Sequence, residues 1–278
     1  MKKVFFLFVS LMPVFITNAQ DLTVMTYNIR LNLKSDGVNA WPERKDFFTA
    51  QIQFYDPDIF GVQEALPDQV NDIKSGLPGY TYVGQGRDGN NKGESAGIFY
   101  NTRRFILKKS GTFWLSETPD TVSRGWDAAY NRVCTYVLLF DKKAKRTFWM
   151  FNTHLDNEGE VARTKGLELI LSRIAELNTR QLPVILTGDF NSEPSTERIK
   201  NLQTQMDDAR TVSLQKPFGP SGTFNGFKHN EPVTLLIDYI FISKKKSFIV
   251  NKYAVLSDAK DLRYPSDHLP VYVALTYR

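Results

Sequence analysis

The sequence predicts a layered α/β or α+β fold in which mixed β-sheets stack on each other. Three observations carry this reading. Apolar runs of strand length recur along the whole chain, stretches of helical period are interleaved with them, and several strand-like runs follow one another with no helix between. A pure βαβ series would place a helix between every pair of strands. With 42 % hydrophobic and 23 % charged residues, disorder, collagen and coiled coil are excluded.

The elements follow in order. Residues 22–27 alternate as a strand, and Pro42 sits where a helix would begin. Residues 44–55 then carry Phe47, Phe48, Ile52 and Tyr55 at helical spacing. Residues 58–63 read as a strand, and 67–76 as a short helix closed by glycine. Strand-like stretches then crowd together at 80–84, 96–100, 105–115, 133–140 and 147–152, with a polar and aromatic loop over 116–131. Residues 158–178 form the clearest helix, with Leu167, Ile170, Leu171, Ile174 and Leu177 on one face. A buried strand is expected at 183–187, and Ser195 can cap a helix, with an incomplete capping box. Residues 235–243, 247–256 and 269–277 complete the strands. Lys244-Lys245-Lys246 reads as a solvated hairpin turn, and no repeat or linker divides the chain.

Residues 1–19 carry Lys2 and Lys3, an apolar stretch over 4–16, and a small-residue exit at Thr17-Asn18-Ala19. That is the pattern of a cleaved signal peptide, so a mature single domain over 20–278 is expected, exported to the periplasm or outside the cell. The apolar stretch is shorter than the roughly 20 residues a spanning helix needs, so no transmembrane segment is expected. The formal charge is +5, and cleavage removes two lysines and no acids. The remaining mild basicity tolerates a phosphate-bearing substrate without demanding a nucleic-acid track. One cysteine, Cys134, excludes an intrachain disulfide and a multi-cysteine zinc site.

Polar residues recur where the strands end. Val24-Met25-Thr26-Tyr27 runs into Asn28, Ile59-Phe60-Gly61-Val62-Gln63 into Glu64, Trp149-Met150-Phe151-Asn152-Thr153 into His154, and Val184-Ile185-Leu186-Thr187-Gly188 into Asp189, with Asn191 two further on. Asp238 sits inside an apolar run, and Asp267-His268 just precedes another. Strand ends are rigid and open toward a crevice, so such side chains can converge. Taken singly, each is more often a turn residue or a helix cap. Asp238 differs, because a carboxylate buried without a partner is costly, and a histidine is its expected partner. The chain has three histidines, His154, His229 and His268, and two belong to this set. Carboxylates and amides are hard oxygen donors that select Mg²⁺, Mn²⁺ or Ca²⁺ over zinc. Such donors, with histidines that titrate near neutrality, suit phosphoester hydrolysis.

These residues resemble the endonuclease/exonuclease/phosphatase superfamily. The matching blocks are Thr26-Tyr27-Asn28-Ile29, Gly61-Val62-Gln63-Glu64, Asn152-Thr153-His154-Leu155, Gly188-Asp189-Phe190-Asn191, Ile237-Asp238-Tyr239-Ile240 and Ser266-Asp267-His268-Leu269-Pro270, all in the family's order. The resemblance implies a DNase I-like, four-layer sandwich of two stacked mixed sheets flanked by helices. It implies an Mg²⁺- or Mn²⁺-dependent hydrolase in which water attacks a metal-bound phosphate. Carried over by position, Glu64 resembles the principal metal ligand, with Asn28 and Asp267 beside it. Asp189 resembles the residue that orients or deprotonates water, and Asn191 and His154 the donors to the scissile phosphate. Asp238 resembles the acid that orients His268, itself a general base or phosphate contact. Arg132 resembles an arginine that binds phosphate in nuclease members, and its alternative is a solvated strand-edge arginine.

The layout is similar to the deadenylase-like branch, with its many secreted bacterial members, on Phe113-Trp114-Leu115-Ser116 among other features. Trp114, in an alternating strand, reads as core. The expected substrate is a phosphoester, with nucleic acid or a nucleotide first. The alternatives are a small phosphorylated headgroup, such as an inositol phosphate or a sphingomyelin-like lipid, and a catalytically silent binding module. No extended basic helix for gripping a duplex and no long apolar loop for a membrane is present. The buried Asp238 matched to His268 argues against a silent scaffold.

Overall fold

The computed structural model describes residues 22–244 and 247–278. The signal-peptide reading, together with Lys245 and Lys246 of the basic turn, lies outside them. The elements run β1 (Leu22–Asn28), a 3₁₀ turn (Lys34–Asn39), α1 (Trp41–Tyr55), β2 (Ile59–Ala65), α2 (Pro67–Gly76), β3 (Tyr80–Val83), β4 (Ser95–Asn101), β5 (Phe105–Trp114), β6 (Val133–Asp141), β7 (Arg146–His154), α3 (Glu160–Leu177), β8 (Val184–Asp189), α4 (Glu197–Gln205), β9 (Met206–Asp208), α5 (Ala209–Val212), β10 (Asp238–Ser243), β11 (Phe248–Val255) and β12 (Val271–Tyr277).

Two six-stranded mixed sheets result, in the orders β11-β12-β1-β2-β4-β3 and β5-β6-β7-β8-β10-β9. Their inner faces meet over Val24, Ile59, Ile98, Val137, Met150, Ile185 and Ile240. The outer face of the first sheet packs on α1 and α2 through Met25, Phe48, Phe60 and Ile73. That of the second packs on α3 and α4 through Phe151, Ile170, Leu186 and Leu202. The expected four layers are therefore present.

The topology positions the site. Each sheet has one parallel pair, β1–β2 and β7–β8. Their crossovers run through α1 and α3, as parallel strands require. Asn28, Glu64, His154 and Asp189 stand at or next to the C-terminal ends of these four strands. β10 runs antiparallel to β8, so its first residue, Asp238, lies opposite Asp189. β12 runs antiparallel to β1, which brings Asp267 and His268 back to the same end.

The sheets approach closely there. A Cβ on Gly61 would lie 2.3 Å from Asn152 Oδ1. The gap holds a buried polar bridge. Asn152 Nδ2 donates to Val62 O and Gly97 O, and Asn152 Oδ1 accepts from Gln63 Nε2 and Thr187 Oγ1. Asn152→Ala removes all four of these buried bonds, at about 1 kcal/mol or more each, so a loss of at least about 3 kcal/mol is expected. Urea unfolding should show a lower midpoint at unchanged slope.

Some boundaries differ from expectation. The helix at 197–205 is N-capped by Thr196, not Ser195, and no side-chain cap bond forms. Thr196 Oγ1 donates to Glu193 O instead. The strand expected from 235 begins at Asp238, as β10. Residues 235–237 serve the neighbouring loop, where Leu235 bridges Phe224. An apolar run at a cavity wall has the same pattern as a buried strand. Trp114 is core, with its Nε1 donating to Arg87 O.

Candidate active site

Backbone strain marks the place. Glu64, the next-to-last residue of β2, has φ 61° and Asn191 has φ 44°. Positive φ in non-glycine residues costs energy and concentrates where surrounding structure holds a functional group in place. At Glu64 it coincides with a register shift in the β2–β4 ladder between Val62 and Ala65, which re-aims the side chain as bulges do.

Asn28, fully buried, joins both halves of the site. Its Nδ2 donates to Glu64 Oε1 and to Asp189 Oδ2, each at 3.0 Å. Its Oδ1 accepts from Arg30 N at 3.0 Å. As oriented, Asn28 supplies N–H donors to two carboxylates, and its oxygen is engaged. Glu64 Oε2 accepts from Leu31 N at 3.0 Å. Asp267 is 3.8 Å from Arg30, and Ser266 Oγ donates to Asn28 O at 2.7 Å.

His268 Nδ1 lies 2.8 Å from Asp238 Oδ2, the expected pairing, and its Nε2 lies 3.7 Å from Asp189 Oδ2. Burial opposes charge on His268, but the carboxylates of Asp238, Asp189 and Asp267 raise its pKa to about 10. Asp189 is pushed up to about 7 by burial first and by the Asp238 charge second. His154 goes the other way: burial, Arg132 and His268 hold it well below the usual imidazole range. This neutral ring receives Asn191 Nδ2 at Nε2, 3.1 Å away, and the same amide donates to Leu155 O. A cationic and a neutral histidine thus flank one carboxylate that titrates near neutrality, a separation suited to acid–base work.

The site floors a cavity of about 620 Å³. It brings together Glu64, His154, Asp189, Asn191, Asp267 and His268, with Arg132 on the wall. Asp238 stands behind His268. Arg132 is buried, 3.1 Å from Asp156 and 2.7 Å from Asn157, not a solvated edge residue. Sequence reasoning missed Arg30, Arg87 and Tyr130. Arg87 pairs with Glu94 at 2.6 Å, and the Tyr130 ring lies 4.8 Å from the Arg87 guanidinium and 5.6 Å from that of Arg132. Their only signal was two arginines flanking aromatic, polar loops. The lining also has an apolar part that includes Phe224, Leu235 and Ile237, and Phe224 meets the His268 ring edge-on at 5.0 Å.

Asp156 fixes the arginine wall, accepting from the backbone N–H groups of Ala129, Glu158 and Gly159. Burial opposes its charge, but those donors and Arg132 prevail and hold its pKa down, at about 2 against an ordinary 3.8. The stabilisation is present above about pH 4 and lost as pH falls toward 2. Asp156→Asn should flatten the acid-unfolding slope in that window, measured by pH-dependent thermal melts.

The donor set suits a divalent cation. Burial first, and the Glu64 charge beside it, raise the pKa of Asp267. Asp189, Asp238 and His268 bring ligand atoms within 4.8 Å of one another, a buried group that can hold a metal ion. Among the described residues, Asp238 Oδ1 is buried without a hydrogen-bond partner. Crowded, buried, hard oxygens are what such a cation neutralises.

The fold and this site define a class. Residues 25–268 match the profile of the Endonuclease/Exonuclease/phosphatase family, and the chain belongs to it. Its members are hydrolases of phosphoester bonds. Among solved structures the chain is similar to a mannosyl-6-phosphatase of Bacteroides thetaiotaomicron, 38 % identical over 92 % of this chain and 100 % of that one, with TM-score 0.87. It is 27 % identical to the uncharacterized protein L388 of Acanthamoeba polyphaga mimivirus, over 85 % of this chain and 92 % of that protein. The human Nocturnin catalytic domain, 24 % identical over 93 % of this chain and 94 % of that one at TM-score 0.73, shares the fold. No helix among the described residues is long and apolar enough to cross a membrane.

Proposed function

We propose that this protein is a Mg²⁺- or Mn²⁺-dependent phosphatase acting on a small phosphorylated headgroup, a phosphorylated sugar above all. The observation that carries this is the cavity's mixed lining of arginines and apolar side chains. Three arginines, Arg30, Arg87 and Arg132, can meet phosphate charge. In the same lining, Phe224, Leu235 and Ile237 offer a surface against which the apolar face of a sugar ring packs. The likeness to a mannosyl-6-phosphatase over that protein's whole length supports it. A pocket also suits a headgroup better than a polymer, whose binding calls for an extended basic track.

Glu64 and Asp267 would hold the cation, with Asp189 and His268 beside them. The ion would offset charge on the phosphate as water attacks. Asp189, titrating near neutrality, takes the proton from that water as the P–O bond to the sugar breaks, and the sugar oxygen leaves as a hydroxyl with a proton from solvent. His268, kept cationic by Asp238, faces the charge that develops on the phosphate. The Asn191 amide now shared with His154 can turn to a phosphate oxygen, and Asn28 holds Glu64 and Asp189 in register. We also read residues 1–19 as an export signal ahead of a single domain over 20–278. N-terminal sequencing of the exported protein should then begin at Gln20.

The test is a substrate panel with Mg²⁺: mannose 6-phosphate, other hexose phosphates, inositol phosphates, bis(p-nitrophenyl) phosphate, single-stranded DNA and poly(A). The highest kcat/KM should fall on a hexose phosphate. Equal or faster turnover of a nucleic acid would return the assignment to a nuclease.

A further inference from the structure

Two buried polar side chains lie just outside the cavity and touch none of its space. Arg44, on α1, is 4 % exposed, and Gln69, on α2, is fully buried. Among the described residues, each makes its hydrogen bonds with backbone. Arg44 Nε donates to Asn39 O at 2.8 Å, Nη1 to Ile29 O at 2.5 Å and to Pro265 O at 2.9 Å, and Nη2 to Arg30 O at 2.6 Å. Gln69 Nε2 donates to the same Arg30 O at 2.8 Å, and its Oε1 accepts from Asn32 N and Leu66 N at 3.1 Å each.

The segments they join are those that carry the candidate cation ligands. Residues 29–32 follow Asn28, Leu66 stands two residues after Glu64, and Pro265 two before Asp267. The tied segment also sends Leu31 N to Glu64 Oε2. A shift of residues 29–32 therefore moves Glu64 directly, and a shift of Pro265 moves Asp267. Among the described residues Arg44 has no carboxylate within ion-pair distance, and the rings of Trp41 and Phe227 cover it at 5.1 and 5.8 Å. Burying a guanidinium against carbonyls alone is costly compared with an apolar side chain of similar volume. What the arrangement provides that an apolar residue cannot is a fixed spacing between three chain segments.

We propose that Arg44 and Gln69 form a bracket of positioning residues that sets the separation of Glu64 and Asp267, and thereby the affinity of the site for its divalent cation. The inference rests on the cation-dependent reading above. Partners that orient ligands from behind typically contribute 10–100-fold in metal affinity.

The test uses the full chain, stripped of metal with a chelator, and titrates Mn²⁺ by calorimetry alongside thermal melts without metal. Gln69→Leu should raise the Kd for Mn²⁺ by about 10–100-fold. Gln69→Glu, which keeps the acceptor for Asn32 and Leu66, should fall between it and wild type, and saturating Mn²⁺ should restore most of the turnover. Arg44→Lys, which reaches fewer of the four carbonyls, should behave like Gln69→Leu. Arg104→Met serves as comparator, because it breaks the buried ion pairs to Asp58 and Asp141 at the far end of the sheets. It should lower the melting temperature with wild-type Mn²⁺ affinity. Gln69 variants that lose thermal stability but bind Mn²⁺ as wild type does would overturn the bracket alone. A wild-type chain that binds no Mn²⁺ would overturn both the bracket and the cation-dependent function.

Discussion

Asp189→Asn should lower kcat on a hexose phosphate by about 10²–10⁴-fold, the range that a positioned general base contributes. The fold should survive, because an amide of the same shape can still accept one of the hydrogen bonds that Asn28 and Asn191 supply. Stability even provides a second readout. The folded-state pKa of Asp189 is raised, so its contribution is fully present below about pH 4 and lost as pH rises through about 7. The asparagine variant lacks that loss. Its melting temperature should equal or exceed that of wild type above pH 7, while its turnover collapses. Wild-type turnover in the purified variant would remove Asp189 from the chemistry.

The second large effect belongs to His268. His268→Gln can still donate to Asp238 but cannot carry charge, and kcat should fall about 10²–10³-fold, as when an electrostatic donor to a transition state is removed. His268→Ala should go further. It leaves the Asp238 carboxylate buried without its 2.8 Å partner, at a cost of about 3–5 kcal/mol in stability. Comparing the two by urea unfolding and by turnover separates the catalytic role from the structural one. Asp238→Asn combined with His268→Gln should cost little more than His268→Gln alone, since groups that act as a unit are not additive.

Much of this was legible in the sequence because the signal was local. A polar residue at the end of an apolar run says where a strand stops, and six such places along the chain meet at one edge. Asp238 was legible for the same reason: a carboxylate among apolar residues needs a partner, and His268 is that partner. What was not legible depends on register and on loops folding back. Gln63 sits beside Glu64 in sequence, but only the stacking of the sheets shows that it faces Asn152. Arg87 and Arg132 are 45 positions apart, and nothing local tells that one tyrosine ring lies between them. Leu235 and Ile237 have the pattern of strand residues but form a cavity wall, because burial against a pocket and burial against a core leave the same mark. Asn28 shows a related limit. Its place at the site followed from sequence, but which of its amide atoms faces the carboxylates followed only from geometry.

In the proposed site, Glu64 and Asp267, with Asp189 from the other sheet beside them, hold a divalent cation that phosphoester hydrolysis requires. The most direct measurement titrates Mn²⁺ into the chelator-treated protein, following ion binding and hydrolysis of a hexose phosphate on the same sample. No turnover is expected in EDTA, and turnover should rise with ion occupancy at the same half-saturation. Turnover that continues undiminished in EDTA would contradict that requirement.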